Sequence, residues 1–141
     1  MPYEGEEPPV WEPDDELNAL TERVIGAGIE VHRRLGPGLD EGSYSAALAI
    51  EFRLRDIPFV REVIVDIPYK GEIVGKRRLD FIVGGRLIVE LKVVVELTEL
   101  HKAQVRTYLK ITGLELGLLM NFETAVLKDG IKRIIRARSP D

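Results

Sequence analysis

Apolar residues at Leu17, Leu20, Val24, Ala27, Val31 and Leu35 recur every three or four positions, the spacing that lines one face of an α-helix. Gly36-Pro37-Gly38 stops that pattern. A second helix is predicted from about Asp40 to Arg55, with Tyr44, Ala47, Leu48 and Leu54 inward, before Ile57-Pro58 breaks it. The period then changes to two. Three strands are predicted over 60–69, 73–83 and 86–94, joined by turns at Lys70-Gly71 and Gly84-Gly85. Thr98 caps a third helix that reaches Lys110 and ends at Thr112-Gly113. Leu116 to Asn121 reads as a buried strand, and Asp129-Gly130 turns the chain into a last strand over 131–137. The order is α-α-β-β-β-α-β-β. Its strand, helix, strand step from Glu90 through Thr98 to Leu118 implies a parallel pair with a right-handed crossover.

Two charges interrupt the most apolar of these strands. Glu90 and Lys92 lie two apart in the run 87–95 and so share a strand face. Buried charges are costly unless they are paired or bind a metal. A cross-strand ion pair is the simplest reading. With Asp80 from the preceding strand, the set also reads as an oxygen-rich pocket beside one cation, the composition of a Mg²⁺-dependent phosphodiesterase site. Parity decides whether Asp80 can join. A two-residue turn at Gly84-Gly85 sets Asp80 opposite Val89, on the wrong face, whereas a three-residue loop or a bulge restores it.

Composition narrows the classes. The chain has 141 residues, 45% of them apolar, enough for one compact domain over 17–141 behind a Pro-rich acidic segment, 1–16. Cysteine is absent, which excludes disulfides, thiolate zinc sites and iron-sulfur clusters and fits a reducing cytoplasm. No apolar stretch approaches the roughly 20 residues of a membrane span, and the acidic start lacks a signal peptide's basic region, so a cytoplasmic protein without a membrane partner is expected. The net charge of −4 conceals an asymmetry. Residues 1–16 hold seven acids and no Lys or Arg, leaving 20 basic against 17 acidic residues in the rest. Lys76-Arg77-Arg78 and the group Lys128, Lys132, Arg133, Arg136 and Arg138 can meet phosphate, or can simply solvate strand faces and edges.

The order of elements and Asp80…Glu90-Leu91-Lys92 resemble the PD-(D/E)xK nuclease superfamily, whose shared core is αβββαβ. That resemblance implies an α/β, restriction-endonuclease-like fold with a mixed sheet flanked by helices. Gly38-Leu39-Asp40-Glu41-Gly42-Ser43-Tyr44 is similar to the Gly-x-x-Glu-x-x-Tyr signature of the bacterial GxxExxY family, a group classed by sequence as nucleases. The likeness spans roughly 17–136 and includes Gly36-Pro37-Gly38, Ile50-Glu51, Arg78-Leu79-Asp80 and the segments 118–122 and 127–134. Gln104…Tyr108 and Gly28…His32 resemble the Gln-x-x-x-Tyr and Gly-x-x-x-His motifs of the RecB-like branch, and the first pair shares a helix face.

The resemblance implies hydrolysis of nucleic-acid phosphodiester bonds, DNA favoured. Mg²⁺ or Mn²⁺ would be held by Asp80, Glu90 and the Leu91 carbonyl, with Glu41 and His32 as further candidates. Lys92 would orient the attacking water and stabilise charge at the phosphate, while Gln104 and Tyr108 would contact the strand. Taken alone, Glu41 reads first as a first-turn carboxylate favoured by the helix dipole, and His32 as a surface or capping residue. Gln104 and Tyr108 alone read as a polar helix face with an aromatic anchor, and His101 matches no motif position. The competing class is a nuclease-like fold without turnover, acting as a binding or assembly module. Val10 and Trp11 are the expected anchors by which the acidic segment docks on its own domain or a neighbouring subunit, which leaves a homo-oligomer open.

Overall fold

The computed structural model describes residues 12–136, so Val10, Trp11 and the predicted strand end at Ala137 lie outside the described residues. Helices α1 (Asp15–Leu35) and α2 (Glu41–Leu54) precede strands β1 (Phe59–Tyr69), β2 (Glu72–Val83) and β3 (Leu87–Lys92). Helix α3 (Glu99–Thr112) leads to β4 (Leu116–Asn121), and a 3-10 turn at Leu127–Gly130 leads to β5 (Ile131–Ile135). The strands form one mixed sheet in sequence order, antiparallel except for β3 and β4, which run parallel on either side of the α3 connection. Among the described residues no helix is long and apolar enough to cross a membrane.

Helices cover both faces of the sheet. Leu17, Val24, Leu48 and Phe52 of α1 and α2 pack on Phe81, Val83, Val89 and Leu91. On the other face Val105, Tyr108 and Leu109 of α3 pack on Leu79, Ile88, Leu119 and Ile134. Each such Leu, Phe or Val contributes about 1.5–3 kcal/mol by leaving water.

Local bonds explain where the elements depart from the hydrophobic pattern. Asp14 caps α1 by accepting the Leu17 N–H at 2.8 Å, and Asp15 and Glu16 fill the first turn, where acids meet the positive end of the helix dipole. Residues 14–16 of the acidic segment therefore form the cap and first turn of a helix. Asp14 also takes Arg86 from the β2–β3 loop at 3.1 and 3.0 Å, and Arg86 reaches Glu115 as well. In α2 the buried residues include Tyr44, Leu48 and Phe52, four apart, whereas Leu54 is 74% exposed, correcting its predicted inward position. At 100° per residue Leu54 sits about 200° round from Phe52 and faces solvent. Strand β3 ends at Lys92 and not at Val94, because the Asn121 side chain takes both backbone groups of Val94. Asn121 accepts the Val94 N–H at 3.2 Å and donates to its carbonyl at 2.9 Å.

Gly130 closes the turn before β5 against this same residue: a Cβ there would lie 2.7 Å from the Asn121 carbonyl oxygen and 2.8 Å from Thr124. Backbone cannot yield as a flexible side chain can, so Gly130→Ala should destabilise the fold by roughly 1–3 kcal/mol. Urea unfolding checks this, and an unchanged midpoint would show that the turn has room the geometry denies it.

Candidate active site

The loop Gly84-Gly85-Arg86 has three residues, with both glycines at positive φ (60° and 68°), and it pairs Val83 with Leu87. Asp80 is thereby set in line with Glu90, the parity the site requires. The β2–β3 ladder is regular from Val83 and Leu87 to Phe81 and Val89, and stops there. Two carboxylates then replace the backbone acceptors: the Asp80 N–H donates to Glu90 Oε1 at 2.8 Å, and the Leu91 N–H donates to Asp80 Oδ2 at 2.8 Å.

Strand β1 yields at the same level. Arg61 pairs with Phe81 and Val63 with Leu79, but Glu62 and Asp80 between them are unpaired, and Glu62 has φ 58°. The side chains change faces across this point. Phe59 and Phe81 belong to the core under α1 and α2, whereas Val63 and Leu79 belong to the core under α3.

The clustering of acids shows in their protonation. Glu90 is only 6% exposed; burial and the Asp80 charge push its pKa up to about 8, against the Asp80 N–H bond and Lys92. Burial raises Asp80 too, opposed by the Leu91 N–H and by Lys92, Arg78 and Arg61. Glu41 is exposed as a residue, yet partial burial of its carboxyl and the nearby Asp80 charge raise its pKa. Lys92 Nζ donates to Gln104 Oε1 at 3.3 Å, and Arg61 Nε donates to Ser45 Oγ at 3.0 Å. Tyr108 completes this wall, its hydroxyl pKa raised by burial and by the charge on Glu90.

Asp80, Glu90, Lys92, Glu41, Gln104 and Tyr108 are thus brought together, as expected from the sequence. Glu41 is aimed by its loop. The Tyr44 hydroxyl donates to the Gly36 carbonyl and accepts the Leu39 N–H at 3.2 Å, the Gly38 N–H donates to Glu123, and Asp40 caps α2 through Ser43. His32 is not brought to the acids. Its Nε2 meets the Thr124 carbonyl at 2.8 Å and its ring tilts against Phe122, so it ties α1 to the loop after β4. Gly28, its motif partner, lets α1 lie on β4, since a Cβ would come within 2.2 Å of Met120 Cε. His101 serves the capping box of α3, accepting the Thr98 N–H at 3.0 Å.

Arg61 and its partner Ser45 were missed in the sequence. The available signal was a lone cation at an inward parity position, between Phe59 and Val63.

Among the described residues no three His, Asp or Glu side chains converge closely enough to hold an ion unaided. Asp80 Oδ1 and Glu90 Oε2 nevertheless accept no hydrogen bond within the described residues. Two carboxylates with one uncommitted oxygen each suit a small hard cation that keeps several waters, as Mg²⁺ does.

The mixed five-stranded sheet with helices on both faces is a restriction-endonuclease-like α/β fold. Residues 18–134 match the PD-(D/E)XK nuclease superfamily, and the chain belongs to it. No curated protein matches the chain. The crystal structure of SSO0001 is similar to it with a TM-score of 0.47 and 19% identity, covering 85% of this chain and 67% of that one.

Because Glu90 holds its proton more tightly folded than unfolded, its contribution to stability falls as pH rises from about 4.5 to about 8. Glu90→Gln keeps an oxygen to accept the Asp80 N–H and removes the charge, so it should stabilise the metal-free protein by about 1–2 kcal/mol at pH 8 and by little at pH 4.5. Thermal melts at the two pH values check this, and destabilisation at pH 8 would mark Glu90 as half of a structural ion pair.

Proposed function

We propose that this protein is a divalent-metal-dependent nuclease that hydrolyses phosphodiester bonds, with DNA as its substrate, and that it belongs to the GxxExxY group with RecB-like features. The observation that carries the reading is the pair of uncommitted carboxylate oxygens on Asp80 and Glu90, held by each other's strand beside Lys92. A structural ion pair would leave no such surplus of negative charge, and the raised pKa of Glu90 is a measure of it.

Asp80, Glu90 and the Leu91 carbonyl would hold Mg²⁺ or Mn²⁺, which when bound supplies polarisation of the phosphate and a more acidic water. The chain's own groups do the remainder. Gln104 accepts one hydrogen of the Lys92 ammonium and so directs it, leaving two to meet the attacking water and the charge that grows on the phosphate. Arg78, with no ion pair among the described residues, stands with Arg61 on the other flank of Asp80, where a phosphate oxygen would arrive. Glu41 completes the acidic set through a water, and Tyr108 and Gln104 line the path of the strand.

Lys92→Ala should lower cleavage by roughly 10²–10³-fold or more while leaving the melting temperature within a few degrees, because the loss falls on transition-state charge. Nicking assays with Mg²⁺ or Mn²⁺ measure it. Wild-type protein that leaves single- and double-stranded DNA and RNA intact in both metals would overturn the nuclease reading and favour a binding or assembly role.

A further inference from the structure

Strands β3 and β4 end side by side, with Lys92 next to Asn121 in the parallel ladder. The chain leaving them walls a cleft of about 320 Å³ that the site described above does not use. Its floor is fixed. Asn121, 1% exposed, accepts the N–H groups of Val94 and Glu123, both at 3.2 Å, and donates to the Val94 carbonyl, so one side chain sets the loops on both sides. The sequence segments 118–122 and 127–134, which the cleavage chemistry leaves without a role, meet here.

The lining has three chemistries. Lys102 and Lys132 supply ammonium groups, Glu96 and Asp129 supply carboxylates, and Val95 and Leu97 supply apolar surface. Most of that charge is uncommitted: among the described residues the side chains of Lys132, Glu96 and Asp129 form no ion pair or hydrogen bond, and Lys102 meets only Glu99, itself 79% exposed. Val95, 99% exposed, faces water with nothing packed on it. A bare anion would leave the carboxylates and the apolar wall idle, and an apolar ligand would leave four charges unmatched. A nucleotide engages all three, its phosphate on the ammonium groups, its base or sugar donors on the carboxylates, and a base face on Val95 and Leu97. The volume lies at the low end of the about 300–1,000 Å³ of small-ligand pockets, so it suits one nucleotide and not an oligomer.

We propose that this cleft is a nucleotide subsite, holding the unit of the nucleic acid next to the bond that is cut. Its place in the reaction rests on the nuclease reading; the binding itself does not. Asn121, on the floor of the cleft, is the ladder neighbour of Lys92, so the subsite adjoins the site across two paired strands. Asn121 is a positioning residue here, acting through the loops it ties.

Isothermal titration of the full chain in EDTA tests this, with thymidine 5′-monophosphate and inorganic phosphate as separate probes. The nucleotide should bind roughly tenfold or more tightly than phosphate. Lys132→Glu should weaken nucleotide binding by about fivefold or more, while Lys70→Ala, in the turn between β1 and β2 and in neither site, leaves it within about twofold. Where glutamate at 132 upsets folding, Lys132→Gln serves with the same direction. Equal affinity for the two probes, or nucleotide binding that ignores Lys132, would overturn the subsite. EDTA separates the two readings: a chain that binds nucleotide through Lys132 but cleaves nothing loses the nuclease reading alone, and one that cleaves but shows no such binding loses the subsite alone.

Discussion

Two strands stop pairing at Asp80 and Glu90, and the site is built from what that parting leaves behind. A buried N–H without an acceptor costs about 1–3 kcal/mol, so a sheet that opens in its interior must supply new acceptors. Here the acceptors are the carboxylates of the same two residues, each bonded to the other strand's backbone. The exchange fixes both side chains with little freedom and places two carboxyl groups together where burial opposes the ionisation of both. Backbone satisfaction and functional charge therefore come from one arrangement, and only an amide in place of either carboxyl would separate them.

The surrounding elements act as supports for that parting. The cation set is split between faces: Lys92 approaches on the α3 side through Gln104, while Arg61 is held on the α2 side by Ser45. The change of faces at Glu62 and Asp80 is what exposes the acids to both sides at once. Tyr44, stacked on Phe122 at 4.7 Å, anchors the loop that presents Glu41, so a residue whose ring is core carries the orientation of a group at the surface. Three positive groups near three acids lower the electrostatic cost without removing it, which is why Glu90 still holds its proton near neutral pH.

Much of this was legible because it is periodic. Helical spacing in α1, the strand extents of β1 and β2, and the Thr98 and Gly113 ends of α3 are local signals, and they appear where the residues place them; the change of faces at Glu62 and Asp80 does not. The parity condition at Gly84-Gly85 was legible as a condition only, since two adjacent glycines permit two loop lengths and only the folded ladder selects one. The misses share a cause. Asn121 ends β3 from 27 residues away, His32 bonds a carbonyl 92 residues on, and Arg61 reaches Ser45 across two elements. Bonds from a side chain to a partner distant in sequence leave no period. Leu54 differs for another reason: at a helix end, apolar character does not fix the direction of a side chain.

The central claim is that Asp80 and Glu90 are paired carboxyls that both ionise fully only when a divalent cation binds between them. Calorimetric titration with Mn²⁺ at pH 7, repeated in buffers of different ionisation enthalpy, counts the protons released on binding. With Glu90 protonated below about 8, binding should release close to one proton, and Asp80→Asn should abolish it. Mn²⁺ that binds without proton release, or binds Asp80→Asn as it binds the wild type, would contradict the account.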